Sequence, residues 1–199
     1  NNKEELFIRK TQFIPGNPKI VHHSLYFYDG TGLLMDAQKK LGNSTPPANG
    51  IGDWGPGYSS GMGLGFIPDP SKVKRNKDNP GSGLGGWVPA VDPITAPPDT
   101  AYILPPQSDI FMQMHFHRNG KQEVDRSKLG LWLTKKPPTK FIKSYLVDTT
   151  FTIIPAGVKK YKATGSRVLE EDIKLFTFSP HAHRLATESR LYYSLPGST

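Results

Sequence analysis

Apolar and polar residues alternate with a period of two in several short runs along this chain, the pattern of half-buried strands. The first run is Leu6 to Ile14, where β-branched and aromatic residues sit between polar ones. Pro15-Gly16-Asn17-Pro18 reads as a turn. Lys19 to Tyr28 is a second strand, ended by Asp29-Gly30-Thr31-Gly32. The pattern resumes at Tyr102-Ile103-Leu104. Asp109 to His117 is a strong strand, with Phe111, Gln113, His115 and His117 on one face. Ile110, Met112, Met114 and Phe116 share the other. Lys128 to Thr134 follows. Beyond Lys135-Lys136-Pro137-Pro138, further strands are predicted over Lys143–Ile154, Lys159–Thr164 and Ile173–Ser179. Pro155-Ala156-Gly157 and an acidic turn at Glu170-Glu171-Asp172 separate them. Helical pattern is confined to one or two turns at Leu33 to Lys40.

These elements predict an all-β protein built from two β-sandwich domains, residues 1–138 and 139–199, the second incomplete. Residues 44–100 are rich in Gly and Pro and too long for a simple connector. They hold Trp54, Tyr58, Phe66 and Trp87, which predicts an ordered excursion packed on the sandwich.

Composition narrows the picture. A chain of 199 residues suffices for one large or two small domains, and Gly 20 with Pro 19 fits a loop-heavy β-rich protein. No apolar stretch approaches membrane-spanning length, so no membrane span is expected. The chain starts Asn1-Asn2-Lys3, without an initiator Met or an apolar leader. That start predicts a removed signal or a piece of a longer chain. The absence of Cys excludes disulfides, thiolate zinc sites and cysteine nucleophiles. The formal charge of +8 fits either an acidic partner or a solvated basic surface. The only dense run, Lys72-Val73-Lys74-Arg75-Asn76-Lys77, has no interleaved aromatics, so no nucleic-acid partner is expected.

The candidate chemistry lies in the histidines. All six fall in three pairs: His22-His23, His115-Phe116-His117 and His181-Ala182-His183. Clustered imidazoles suit copper and zinc. In a strand, residues two apart share a face, so His181 with His183, or His115 with His117, can reach one metal. Either pair also reads as surface histidines, or as one ligand beside a packing residue. Adjacent His22 and His23 point to opposite faces and can share a metal only where the strand twists, bulges or forms an edge. A Cys-free, His-only donor supply with Met nearby favours copper.

Val21-His22-His23-Ser24-Leu25, Gln113-Met114-His115-Phe116-His117 and Ser179-Pro180-His181-Ala182-His183 occur in this order. Asn119-Gly120-Lys121, Asp125-Arg126-Ser127 and Ile154-Pro155-Ala156-Gly157 fall between them. With these segments the chain resembles the copper type II, ascorbate-dependent monooxygenases, the family of peptidylglycine α-hydroxylating monooxygenase and dopamine β-monooxygenase. It looks most like the bacterial members. The resemblance covers most of the chain. It implies two jelly-roll domains, each with one mononuclear copper, and ascorbate as reductant. It implies that His22, His23 and His115 bind the electron-transfer copper and that His181 and His183 bind the catalytic copper. His117 has no counterpart among those ligands and is expected to lie beside the first centre or at the surface. The family completes its catalytic copper with a later methionine. Met35, Met62, Met112 and Met114 all precede His181 and do not match it.

The activity implied is insertion of one oxygen atom of O₂ into an aliphatic C–H bond of a small molecule or peptide, by a secreted or periplasmic protein. Further domains or subunits are compatible with it. The alternatives are a non-catalytic copper-binding or electron-transfer module, and a structural β-sandwich protein that has kept the histidines.

Overall fold

The structure is a computed structural model. It describes residues 2–41, 57–58, 70–73, 75–79, 81–149, 153–180, 182, 186–195 and 197. The chain divides into two units, Asn1–Leu146 and Val147–Thr199.

Among its described residues the first unit is all-β apart from one short helix and a single 3-10 turn. Its strands are β1 (Leu6–Ile14), β2 (Val21–Asp29), β3 (Gly81–Trp87), β4 (Ile94–Thr95), β5 (Thr100–Leu104), β6 (Asp109–Phe116), β7 (Lys128–Thr134) and β8 (Lys140–Phe141). The helix α1 spans Leu33–Leu41. Asp29 prepares its start: Oδ1 accepts from the Thr31 N–H at 2.7 Å and Oδ2 from the Leu34 N–H at 2.9 Å. An acidic side chain here meets the unpaired amides of the first turn.

The strands form two sheets. β1 is central in the first, with β7 along one side and β4 and β5 in succession along the other. β8 extends this sheet parallel to β5. The second sheet has the order β3-β2-β6, antiparallel throughout. Ile8, Phe13 and Tyr102 of the first sheet and Val21, Tyr26, Tyr28 and Leu84 of the second make one buried cluster. Met112, Met114 and Phe116 pack against it, so three residues of the apolar face predicted for β6 turn inward, while Ile110 is exposed. The Phe13 ring lies 5.9 Å from that of Tyr26 and 5.1 Å from that of Trp87, joining the sheets. The all-β class is thus as the alternation predicts.

The differences are local. The 44–100 stretch is not wholly an excursion, because its later part supplies β3 to one sheet and β4 to the other. The reading frame Gly-Ser-Gly-Leu-Gly-Gly-Trp hides β3, since only Leu84 and Trp87 carry packing side chains. Gly85 sits at φ +113, next to a register shift opposite Tyr26 and Phe27. Such a bulge favours glycine. Trp54 and Phe66 lie outside the described residues.

The first unit also runs past Pro138 to Leu146, with Ile142 buried in the core. The strands expected over 143–154, 159–164 and 173–179 do not occur among the described residues of those ranges. An alternating pattern becomes a strand only when a neighbouring chain completes its ladder. No strand ladder forms among the described residues of the second unit, and its described apolar residues face outward, Ile153 at 83% and Val168 at 88% exposure.

Candidate metal centre

The site begins with the step between buried residues on β2. Val21, Ser24, Tyr26 and Tyr28 are all buried. The spacing is two from Ser24 onward, as a strand requires, but three from Val21 to Ser24. The ladder with β6 shows the cause: its register shifts between Val21 and His23. The extra residue is His22. A bulge lets neighbouring residues point to the same side, and His22 and His23 both leave the core. The condition that the adjacent histidines impose is therefore met.

His23 faces His115 directly across the β2–β6 ladder. His115 is exposed on the face opposite Met114 and Phe116, as the period-two pattern predicts. The rings of His22, His23 and His115 converge. Centroids are 5.1 Å apart for His22–His23 and His22–His115, and 4.5 Å for His23–His115. One ring nitrogen from each lies within 4.8 Å of the others. His22 and His115 are exposed and His23 is half-buried, so the cluster opens to solvent.

His117 stands outside this group. It is exposed just past β6, where its backbone N–H donates to the Ile20 carbonyl at 2.7 Å. His181 and His183 lie outside the described residues. Met112 and Met114 point away from the cluster and into the core, so neither completes it. Met62 also lies outside the described residues, and Met35 is exposed on α1.

The group fits a borderline transition metal. Ligand nitrogens at about 2.0–2.1 Å from one ion are at most about 4.2 Å apart, so a small side-chain adjustment closes the set. The His22 and His23 Nδ1 atoms face each other at 2.9 Å. Without an ion, one must donate and the other accept. With an ion between them, both neutral rings present lone pairs. Three imidazoles and no thiolate make a donor set for copper, zinc or nickel, with coordination positions left to solvent.

The signal that the sequence obscured is the support around this cluster. Asn17, Asp125 and Ser127 join the turn before β2 to the loop after β6. Asp125 and Ser127 lie in one of the segments that carry the resemblance, but their role in supporting the strands shows only in their pairing in space. No protein-family model, curated protein or solved structure matches the chain.

Proposed function

We propose that this chain is, or is part of, a copper-dependent monooxygenase of the copper type II, ascorbate-dependent kind. The reading rests on the resemblance carried by the three histidine motifs. The observation that carries it furthest is the convergence of His22, His23 and His115 through a bulge in β2. In this reading these three imidazoles hold the electron-transfer copper, His181 and His183 serve the catalytic copper, and the protein acts outside the cytoplasm.

Bound copper would supply one-electron redox chemistry at a site that exchanges electrons with ascorbate or a similar donor. The balance of the overall reaction is O₂, one substrate C–H bond, two electrons and two protons giving one alcohol and one water. The chain's own part at the first centre is to hold three neutral imidazoles on a rigid sheet, so that little rearrangement accompanies a change in metal charge. The exposed position of His22 and His115 leaves the centre open to a small reductant.

A second reading is a non-catalytic copper-binding or electron-transfer module. It is favoured by one feature: all three clustered histidines belong to the first unit alone. Metal analysis of the full-length protein combined with ascorbate-dependent O₂ uptake separates the two. The monooxygenase reading expects bound copper and O₂ uptake above that of free copper, coupled to a hydroxylated product. Copper binding with no coupled product supports the module, and no copper binding removes both.

A further inference from the structure

The turn leading into β2 and the loop leaving β6 are knotted around one carboxylate. Asp125 Oδ1 accepts from the Asn17 N–H at 2.9 Å and from the Ser127 hydroxyl at 3.0 Å. Its Oδ2 accepts from the Ser127 N–H at 3.1 Å. The Ser127 hydroxyl oxygen accepts in turn from the Gly16 N–H at 3.0 Å. Gly16 lies so close that an added Cβ would come within 2.4 Å of the Arg126 backbone.

The held turn then fixes the histidine strands. The Asn17 carbonyl accepts from the Ile20 N–H at 3.1 Å and from the Val21 N–H at 3.0 Å. Val21 is the last paired residue before the bulge at His22. From the other strand, the His117 N–H donates to the Ile20 carbonyl at 2.7 Å, two residues beyond His115. Both strands that carry the cluster are therefore anchored, at the cluster's own end, to a turn whose geometry Asp125 sets.

We propose that Asp125 is a positioning residue for the three-histidine centre, holding the bulge that turns His22 outward beside His23. It acts through the backbone of Asn17 and Val21, not by touching a ring. A carboxylate suits the role because it offers two acceptor oxygens to donors that converge from two loops. The proposal rests on the reading of the cluster as a metal site, and its test is arranged so that the two fail separately.

The experiment is a Cu(II) titration of the full chain, read by competition with a chromophoric chelator and by electron paramagnetic resonance, for wild type, Asp125→Ala, Asp125→Asn and Ser127→Ala. Loss of outer support at metal sites commonly weakens binding by about 10–100-fold. Asp125→Ala is expected in that range, with an altered copper hyperfine splitting. Asp125→Asn keeps one acceptor and turns a donor toward the remaining N–H, so it should fall between. Arg126→Ala, an exposed neighbour, should match wild type. Wild-type affinity and an unchanged spectrum in Asp125→Ala overturn the proposal. If that variant does not fold, the same comparison in Asp125→Asn and Ser127→Ala decides it. Failure of the wild type to bind copper removes the metal reading. The positioning role is then decided in metal-free protein by the imidazole ¹⁵N shifts of His22 and His23. They should move in Asp125→Ala, and unchanged shifts refute the role.

Discussion

Substitutions on the two faces of β6 should separate metal binding from folding. His115 and Met114 are neighbours in sequence, but His115 points to solvent among the three rings while Met114 packs against the core. His115→Ala removes one of three imidazoles. Losing an outer-shell partner already costs about 10–100-fold, so losing a ligand should cost at least about 100-fold, or about 2.7 kcal/mol of copper affinity. An exposed side chain contributes little to packing, so the metal-free variant should stay within about 0.5 kcal/mol of wild type. Met114→Ala does the reverse. Truncating a buried Met costs about 2–5 kcal/mol, and the partial burial of Met114 places it near the lower end. For a unit of this size that is a fall in Tm of about 4–8 °C. Copper affinity should change less than threefold, about 0.6 kcal/mol, because the His115 backbone remains in the ladder. The assays are copper titration of each metal-free variant and thermal melts in the presence of chelator. Equal copper affinity in His115→Ala and wild type would refute the site. So would a Met114→Ala variant that melts normally but binds no copper.

Three further outcomes follow from particular contacts. Thr11 is buried and its hydroxyl has no hydrogen-bond partner. Thr11→Val keeps the shape and removes an unpaired polar atom, so chemical denaturation should show it equal to wild type or up to about 1 kcal/mol more stable. A clear loss would mean that the hydroxyl is paired. Gly85→Ala would hold a side chain at φ +113 and bring its Cβ within 2.6 Å of Ile94 Cδ1, so it should destabilise by about 1–3 kcal/mol. A melt that does not move would contradict the bulge. Hydrogen bonds from Asn119 and then Asn17 hold the Glu123 carboxyl below its usual range. Its stabilising contribution is therefore present above the ordinary Glu range and is lost as pH falls through the lowered value. By NMR titration, Asn119→Ala should bring the Glu123 midpoint back up, and an unmoved midpoint would rule out that bond as the cause.

Much of this was legible in residue order. β1 and β7 fall at the predicted bounds, and the inward face of β6 follows its alternation from Met112 to Phe116 but not at Ile110. The outward placing of His115 follows from the same period. The joint placing of His22 and His23 does not, because a strict period of two sends them apart. Only the three-residue step from Val21 to Ser24 records the bulge, and it is visible once burial is known. β3 was hidden because glycines carry no hydrophobic pattern, although their small size suits the close approach of Gly86 to Leu25. The later predicted strands are absent among the described residues for the opposite reason. Their alternation is clear, but the partner that makes a ladder is a property of three-dimensional neighbours, not of a local pattern. The role of Asp125 was illegible because its partner Asn17, and Gly16 that bonds the neighbouring Ser127, are more than a hundred residues away in sequence.

The central claim is that His22, His23 and His115 together hold a redox-active copper. X-ray absorption of the copper-loaded full chain, before and after addition of ascorbate, with His181→Ala and His183→Ala introduced together, tests it most directly. The account predicts about three imidazole nitrogens at about 2.0 Å in the oxidised form. It also predicts an edge shift to Cu(I) on reduction, with the imidazoles retained and the whole signal lost in His115→Ala. A copper bound through fewer than two imidazoles, one indifferent to His115, or one that ascorbate does not reduce would contradict it.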